Sequence, residues 1–402
     1  MGGVNRRVRL AYLVSHPIQY QVPLLRRIAR EPDIDLTVFY GSDFSVRGYR
    51  DEGFGVEMKW DIPLLEGYRY EMLPVLRDTG TQTVAAPLNY GYLSRLRGYD
   101  LLWVHGYAMV NSMAAMMAAK ALGIPVLMRS DSTLIDRPRS AVKRAVKKAF
   151  FAGLREMIDG VLVVGTLNEA YWRDAIGDAD VPLFRMPYAV DNDFFRRRSL
   201  EARARRGELL AELKMEPGRP VILFASKLQE RKLAGDLLEA YKRLVAENAG
   251  ARPVPYLVIV GDGECRGELE RAAEGVEGVR FCGFRNQSEL PRFFDLATVF
   301  CLPARHEPWG LIVNEVMNAA RPVIVTDDVG AAPDLVTDGV EGYVYPVGDV
   351  AALTRALHDV LDEPGRAERM GQRALERVSG WSFEEDVVGL RRAVAVLTGK
   401  LG

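Results

Sequence analysis

Residues 298–315 read TVFCLPARHEPWGLIVNE. Thr298 to Leu302 is a short apolar run of the kind that forms a strand buried on both faces of a parallel sheet. Pro308 and Gly310 suit the entry to a helix, so Glu307 falls on the loop before it and Glu315 one to two turns inside. The same strand-then-helix alternation runs outward in both directions, which implies α/β architecture with helices on both sheet faces. Nearby strands are expected at Val221 to Ala225, Tyr256 to Val260, Val279 to Phe281, Pro322 to Val325 and Gly342 to Tyr345. An earlier cycle carries Val8 to Val14, Ile34 to Tyr40, Asp100 to Val104, Pro125 to Met128 and Gly160 to Val164. Two doubly wound parallel-sheet domains follow. The expected boundaries are 1–195 for the first, 196–220 for a linker dense in Arg and Glu with a solvated helix, and 221–380 for the second. Residues 381–402 form a last helix with no strand after it, expected to pack back on the first domain.

Bulk properties agree with this division. The chain has 402 residues, comfortable for two cores. Hydrophobic residues make up 48% and charged residues 27%, far from the regime of disorder. A formal net charge of −1 provides no global field for nucleic acid, so an anionic ligand must be captured by local groups. Cys265, Cys282 and Cys301 are too few and too scattered for a disulfide framework and read as core residues. No run reaches the roughly 18 apolar residues of a bilayer span, and Met1 to Arg9 does not resemble a signal peptide, so a cytoplasmic enzyme is expected.

Chemistry concentrates at strand ends. Glu307 can accept hydrogen bonds from sugar hydroxyls, and Glu315 can hold a ribose diol. The backbone of Gly310, Leu311 and Ile312, at a helix start beyond a parallel strand, offers N–H groups to a phosphate or sugar oxygen, with Trp309 beside them. After Val221 to Ala225 comes Ser226-Lys227-Leu228-Gln229-Glu230-Arg231-Lys232, whose Lys227 and Lys232 can reach a diphosphate. After Tyr256 to Val260 the loop Gly261-Asp262-Gly263-Glu264 permits close backbone approach to a ring or phosphate. Gly283, Phe284 and Arg285 follow the next strand and can pair with a base edge. Each of these, taken alone, reads equally as an ordinary helix start, solvated loop or turn.

Together they are specific. The chain resembles the family-four retaining glycosyltransferases of the GT-B fold. The resemblance rests on Glu307 to Glu315, on Lys227 and Lys232 with Ser226 where the family has Gly, on Val190, Asp191 and Phe195, and on Gly330, Pro333 and Asp334. It implies two Rossmann-like domains facing each other across a cleft. It also implies donor-sugar contact by Glu307, ribose contact by Glu315, diphosphate contact by Lys227 and Lys232, and base contact by the loops at Gly263 and Gly283 to Arg285.

The first domain departs from the pattern. Where the family often has a glycine-rich loop, this chain has Ser15-His16-Pro17-Ile18-Gln19-Tyr20-Gln21, so His16, Gln19 and Tyr20 become candidate donor or acceptor contacts. At the family's recurrent His the chain reads Arg129-Ser130-Asp131-Ser132, making Asp131 the positional match, and His105 matches a second recurrent His. Residues 137–154 carry Arg137, Arg139, Lys143, Arg144, Lys147 and Lys148 with no acid between them. Ala141, Val142, Ala145, Val146, Ala149 and Phe150 form an apolar stripe there. An ordinary domain helix with a basic outer face is one reading; peripheral contact with anionic lipid is the other.

The function expected is a hexosyltransferase moving a sugar from a nucleotide-diphosphate donor, UDP favoured over GDP, to a sugar, lipid-linked or small-molecule acceptor. No cofactor and no metal are expected. The Asp-x-Asp triplets at Asp33, Asp178 and Asp191 are scattered, and the lysines supply the positive charge. Retention follows from the resemblance, with front-face attack and a donor phosphate oxygen taking the acceptor proton. The rivals are a GT-B sugar-nucleotide epimerase and a non-enzymatic nucleotide-sugar-binding protein.

Overall fold

The computed structural model describes residues 7–51, 56–134, 141–177, 181–248 and 253–401, with backbone only at 49–51, 56–58, 141, 143 and 144. Arg137, Arg139 and the triplet at 178–180 lie outside the described residues, as do the side chains of Lys143 and Arg144. The chain divides into two compact units. One comprises Met1–Tyr49, Ile62–Tyr188 and Phe383–Gly402; the other comprises Arg50–Asp61 and Ala189–Ser382.

The first unit is built on seven strands: β1 (Val8–Val14), β2 (Ile34–Tyr40), β3 (Arg69–Met72), β4 (Leu101–His105), β5 (Val126–Arg129), β6 (Gly160–Val163) and β7 (Leu183–Arg185). Their order is β7-β6-β5-β4-β1-β2-β3, parallel throughout. Successive side chains alternate across the sheet. Leu102 and Val104 face a core with Phe151, Leu154 and Trp172, whereas Leu101 and Trp103 face a core with Tyr12, Leu162 and Phe184. Val387, Leu390, Ala393 and Val394 of the C-terminal helix Phe383–Thr398 close that second core. β3 and β7 were not foreseen. Both are edge strands; Arg-Tyr-Glu-Met is largely exposed, and an edge strand has no second apolar neighbour to demand a continuous apolar run.

The second unit holds β8 (Val221–Ala225), β9 (Tyr256–Val260), β10 (Val279–Phe281), β11 (Val299–Leu302), β12 (Val323–Thr326) and β13 (Gly342–Tyr345). The order β10-β9-β8-β11-β12-β13 is again all parallel. Tyr241, Leu353, Leu357 and Met370 pack one face, and Cys301 is fully buried in that core.

Two expectations need correction. Residues 196–220, read as a linker with a solvated helix, instead carry packed helices of the second unit, Asn192–Arg203 and Arg206–Glu212. Phe195, Leu209 and Met215 are buried, and Arg203, Arg206 and Arg321 converge on buried Asp295. High charge there reflects ion pairing rather than a solvated tether. The second correction concerns helix Ala141–Arg155. Its core side is Phe151 and Leu154, not the stripe read from the sequence, because Phe151 inserts among Tyr107, Tyr171 and Trp172.

Candidate functional site

In the second unit the loops after β8 and β11 meet. β8 runs into Lys227 and then a single 3₁₀ turn, Glu230–Lys232, before helix Ala234–Asn248. The loop after β11 places the Glu307 carboxylate against the Lys232 ammonium, with Arg231 Nη1 3.1 Å from the same Oε2. Lys232 is buried, and burial pulls its ammonium below the ordinary lysine value, partly offset by Glu307. The charges of Arg231 and Lys227 also lower it, which places Lys227 in the same cationic group.

Glu307 is held by backbone as well. Its N–H donates to Asp328 O at 3.1 Å and its carbonyl accepts from Gly330 N at 2.9 Å. A Cβ on Gly330 would stand 1.9 Å from Pro308 O, so only glycine permits this approach. His306, at φ 51, has its N–H 3.1 Å from Asp328 Oδ2. Gly310, at φ 87, heads helix Leu311–Met317, whose first N–H groups, including Leu311 and Ile312, have no carbonyl one turn earlier to bind. Glu315 lies on this helix. Part of its surface reaches solvent, yet burial pushes its carboxyl up to about 8.

Other predicted residues take structural contacts. Trp309 is turned inward, stacked on Trp381 at 5.7 Å, with Nε1 donating to Asn314 Oδ1 at 2.9 Å. Gly261 packs on the neighbouring loop: a Cβ there would meet Ser226 O at 1.9 Å. The next glycine, Gly263, donates its N–H to Asp262 Oδ1 at 2.9 Å. Gly283 O accepts from Gly261 N at 2.8 Å, tying the loops after β9 and β10 together, and Phe284 beside it is half-buried. Arg285 pairs with Glu212 and Glu289 at 3.3 and 3.2 Å.

The first unit assembles a separate polar group at the ends of β1, β4 and β5. Tyr12 donates to Gln21 Oε1 at 2.7 Å, and Gln21 Nε2 lies 3.1 Å from the His105 ring. Ser15 Oγ lies 2.9 Å from His16 Nδ1, and Tyr20 meets Tyr188 edge to face at 5.9 Å. Burial lowers His16 to about 4; burial, then the charges of Arg129 and His16, lower His105 to about 3. Both imidazoles are therefore neutral at physiological pH. Burial, then Asp131, raises the Tyr20 hydroxyl to about 12, which places Asp131 in this group. Gln19 is half-buried beside it.

Sequence reading passed over Arg231, Gln21 and Arg129. Arg231 was visible as a third cation beside Lys232. The other two had no local signal: Gln21 meets His105 across 84 residues, and Arg129 meets Asp386 across 257.

Residues 206–377 match the family described as Glycosyl transferases group 1. Alpha-D-kanosaminyltransferase of Streptomyces kanamyceticus is 26% identical over 267 residues, 64% of this chain and 67% of that protein. Alpha-maltose-1-phosphate synthase of Mycobacterium tuberculosis is 31% identical over 207 residues, 48% of this chain; the match spans about half of the synthase's length, 52%. Among solved structures, Anabaena HepE in complex with UDP superimposes with a TM-score of 0.71 at 15% identity, covering 97% of this chain and 100% of that one. That likeness concerns the α/β fold, with its two parallel sheets. The matched residues 206–377 carry the Glu307 to Glu315 helix and both lysines, so it is this part of the chain that is similar to the glycosyl transferases group 1 family.

Proposed function

We propose that the chain is a retaining, metal-independent hexosyltransferase that moves a sugar from a UDP-sugar to an acceptor hydroxyl. The observation that carries this reading is the shared grip of Lys232 and Arg231 on Glu307, at the mouth of a parallel sheet. A buried ammonium and a guanidinium beside Lys227 are matched in charge to a diphosphate. On this reading the diphosphate and Glu307 are alternative partners for Lys232, and Glu307, once displaced, accepts hydrogen bonds from the sugar hydroxyls. Glu315 takes the ribose diol. A UDP complex of HepE, a protein sharing the fold, supports uridine as the base.

Negative charge develops on the departing diphosphate, where Lys227, Lys232 and Arg231 stabilise it without reorganising. The acceptor hydroxyl attacks the anomeric carbon from the leaving-group face as the C–O bond to phosphate breaks. Its proton passes to the departing phosphate oxygen. Neutral His16 and His105, with Gln21 and Asp131, are the groups proposed to read the acceptor.

A thermal-shift panel of nucleotides and sugar nucleotides tests the donor first, since a ligand bound only by the fold raises Tm by mass action. Stabilisation by UDP, then UDP release with an acceptor in the presence of EDTA and an α-configured product by NMR from an α-linked donor, are the results expected. No stabilisation by any sugar nucleotide, or a covalent glycosyl-enzyme on Glu307 or Asp131, would overturn the assignment.

A further inference from the structure

We infer that the outward face of helix Ala141–Arg155 is a docking surface for an anionic lipid bilayer. This is independent of the glycosyl-transfer reading. Val142, Ala145, Val146, Ala149 and Phe150 recur at the spacing of a single helical face. A domain helix would turn such a stripe to its core. Here the core side is instead Phe151, 3% exposed, and Leu154, 0% exposed, while Val142 is 73% exposed, Val146 64% and Phe150 37%. Ala145 and Ala149 are exposed between them, and Leu134, just before the helix, is 47% exposed. The apolar stripe therefore faces water, which is unfavourable in proportion to its area unless something covers it.

Charge identifies the cover. From Arg137 to Leu154 the sequence places Arg137, Arg139, Lys143, Arg144, Lys147 and Lys148 with no Asp or Glu, in a chain whose net charge is −1, and Arg155 beyond them pairs with Glu156. The Lys147 ammonium lies 4.6 Å from the Tyr171 ring centroid, and Lys148 is exposed. An exposed apolar face in a segment rich in cations and free of acids has the composition of an interfacial helix, which lays its stripe on hydrocarbon and its cations among anionic headgroups. A second copy of the chain would set the same cations against each other. Among the described residues no helix is long and apolar enough to cross a membrane.

The test is co-sedimentation of the full chain with vesicles of phosphatidylglycerol and phosphatidylcholine, and with phosphatidylcholine alone. Binding to the anionic vesicles, weakened by salt and slight on the neutral ones, is the expected result. The double variant Val142→Asp/Val146→Asp should lose at least about tenfold in affinity. Its Tm and its response to UDP should match the parent, because both positions are exposed. The inference fails if the parent ignores anionic vesicles at low salt, or if the double variant binds them equally well. It also fails if light scattering finds a dimer that the double variant converts to monomer, since the cover would then be a second copy.

Discussion

Glu307 is the residue on which the proposed site turns, because it pairs with Arg231 and Lys232, two of the cations proposed to engage the donor. A charge-assisted hydrogen bond contributes about 1.5–3 kcal/mol, so Lys232→Ala should slow turnover by roughly ten- to a hundredfold in steady-state UDP release. Lys227→Ala should fall in the same range. Glu315 carries a pH dependence whose sign can be worked out. Its carboxyl holds a proton up to about pH 8 in the fold, against 4.5 for the ordinary group. Between those values the folded chain binds more protons than the unfolded one, so this residue's contribution to stability falls as pH rises through that window. Glu315→Gln keeps the shape and removes the titration. Its Tm relative to the parent should therefore be higher at pH 9 than at pH 5; a Tm difference that does not change with pH would refute the shift.

At the scale of elements, helix Leu311–Met317 is anchored by a chain of buried amides. Asn314 Oδ1 accepts from Trp309 Nε1 at 2.9 Å, and Asn318 Nδ2 donates to Asn314 O at 2.9 Å and to Asn192 Oδ1 at 2.7 Å. Asn192 Nδ2 in turn lies 3.2 Å from both Val378 O and Trp381 O. The helix bearing Glu315 is thus tied to Asn192, at the start of helix Asn192–Arg203, and to the segment before Phe383. Asn318→Leu removes one hydrogen-bond partner each from Asn192 Oδ1 and Arg196 Nε and should cost about 1–3 kcal/mol in urea unfolding. Helix Ala141–Arg155 teaches a complementary point. Its apolar stripe was readable, but two stripes compete for the core, and the larger ring, Phe151, fits the aromatic socket of Tyr107, Tyr171 and Trp172.

For the whole molecule, the C-terminal helix is part of the first unit's core although the chain reaches it only after building the second. Besides its apolar side, it contributes Asp386, fully buried, 3.3 Å from buried Arg129, whose Nη2 also donates to Met186 O and Pro187 O at 3.1 Å. Burial pushes Asp386 up to about 8 and Arg129 draws it down. Removing one partner of such a pair strands the other in the core. Asp386→Ala should destabilise by about 3–5 kcal/mol, visible as a lowered Tm, whereas Arg129→Met with Asp386→Leu should be milder. The sequence by itself determined the central strands, because a strand covered on both faces must be a continuous apolar run, and the Glu307 to Glu315 helix start, because Pro and Gly punctuate it locally. It also marked the lysines at a strand end. Only tertiary structure decided the edge strands β3 and β7, the burial of the helices within 196–220, the outward turn of the Val142 stripe, and the meeting of Gln21 with His105 and Arg129 with Asp386. Local patterning records what each segment needs to bury. Which partner satisfies that need is settled across tens to hundreds of residues, where only the folded chain brings the groups together.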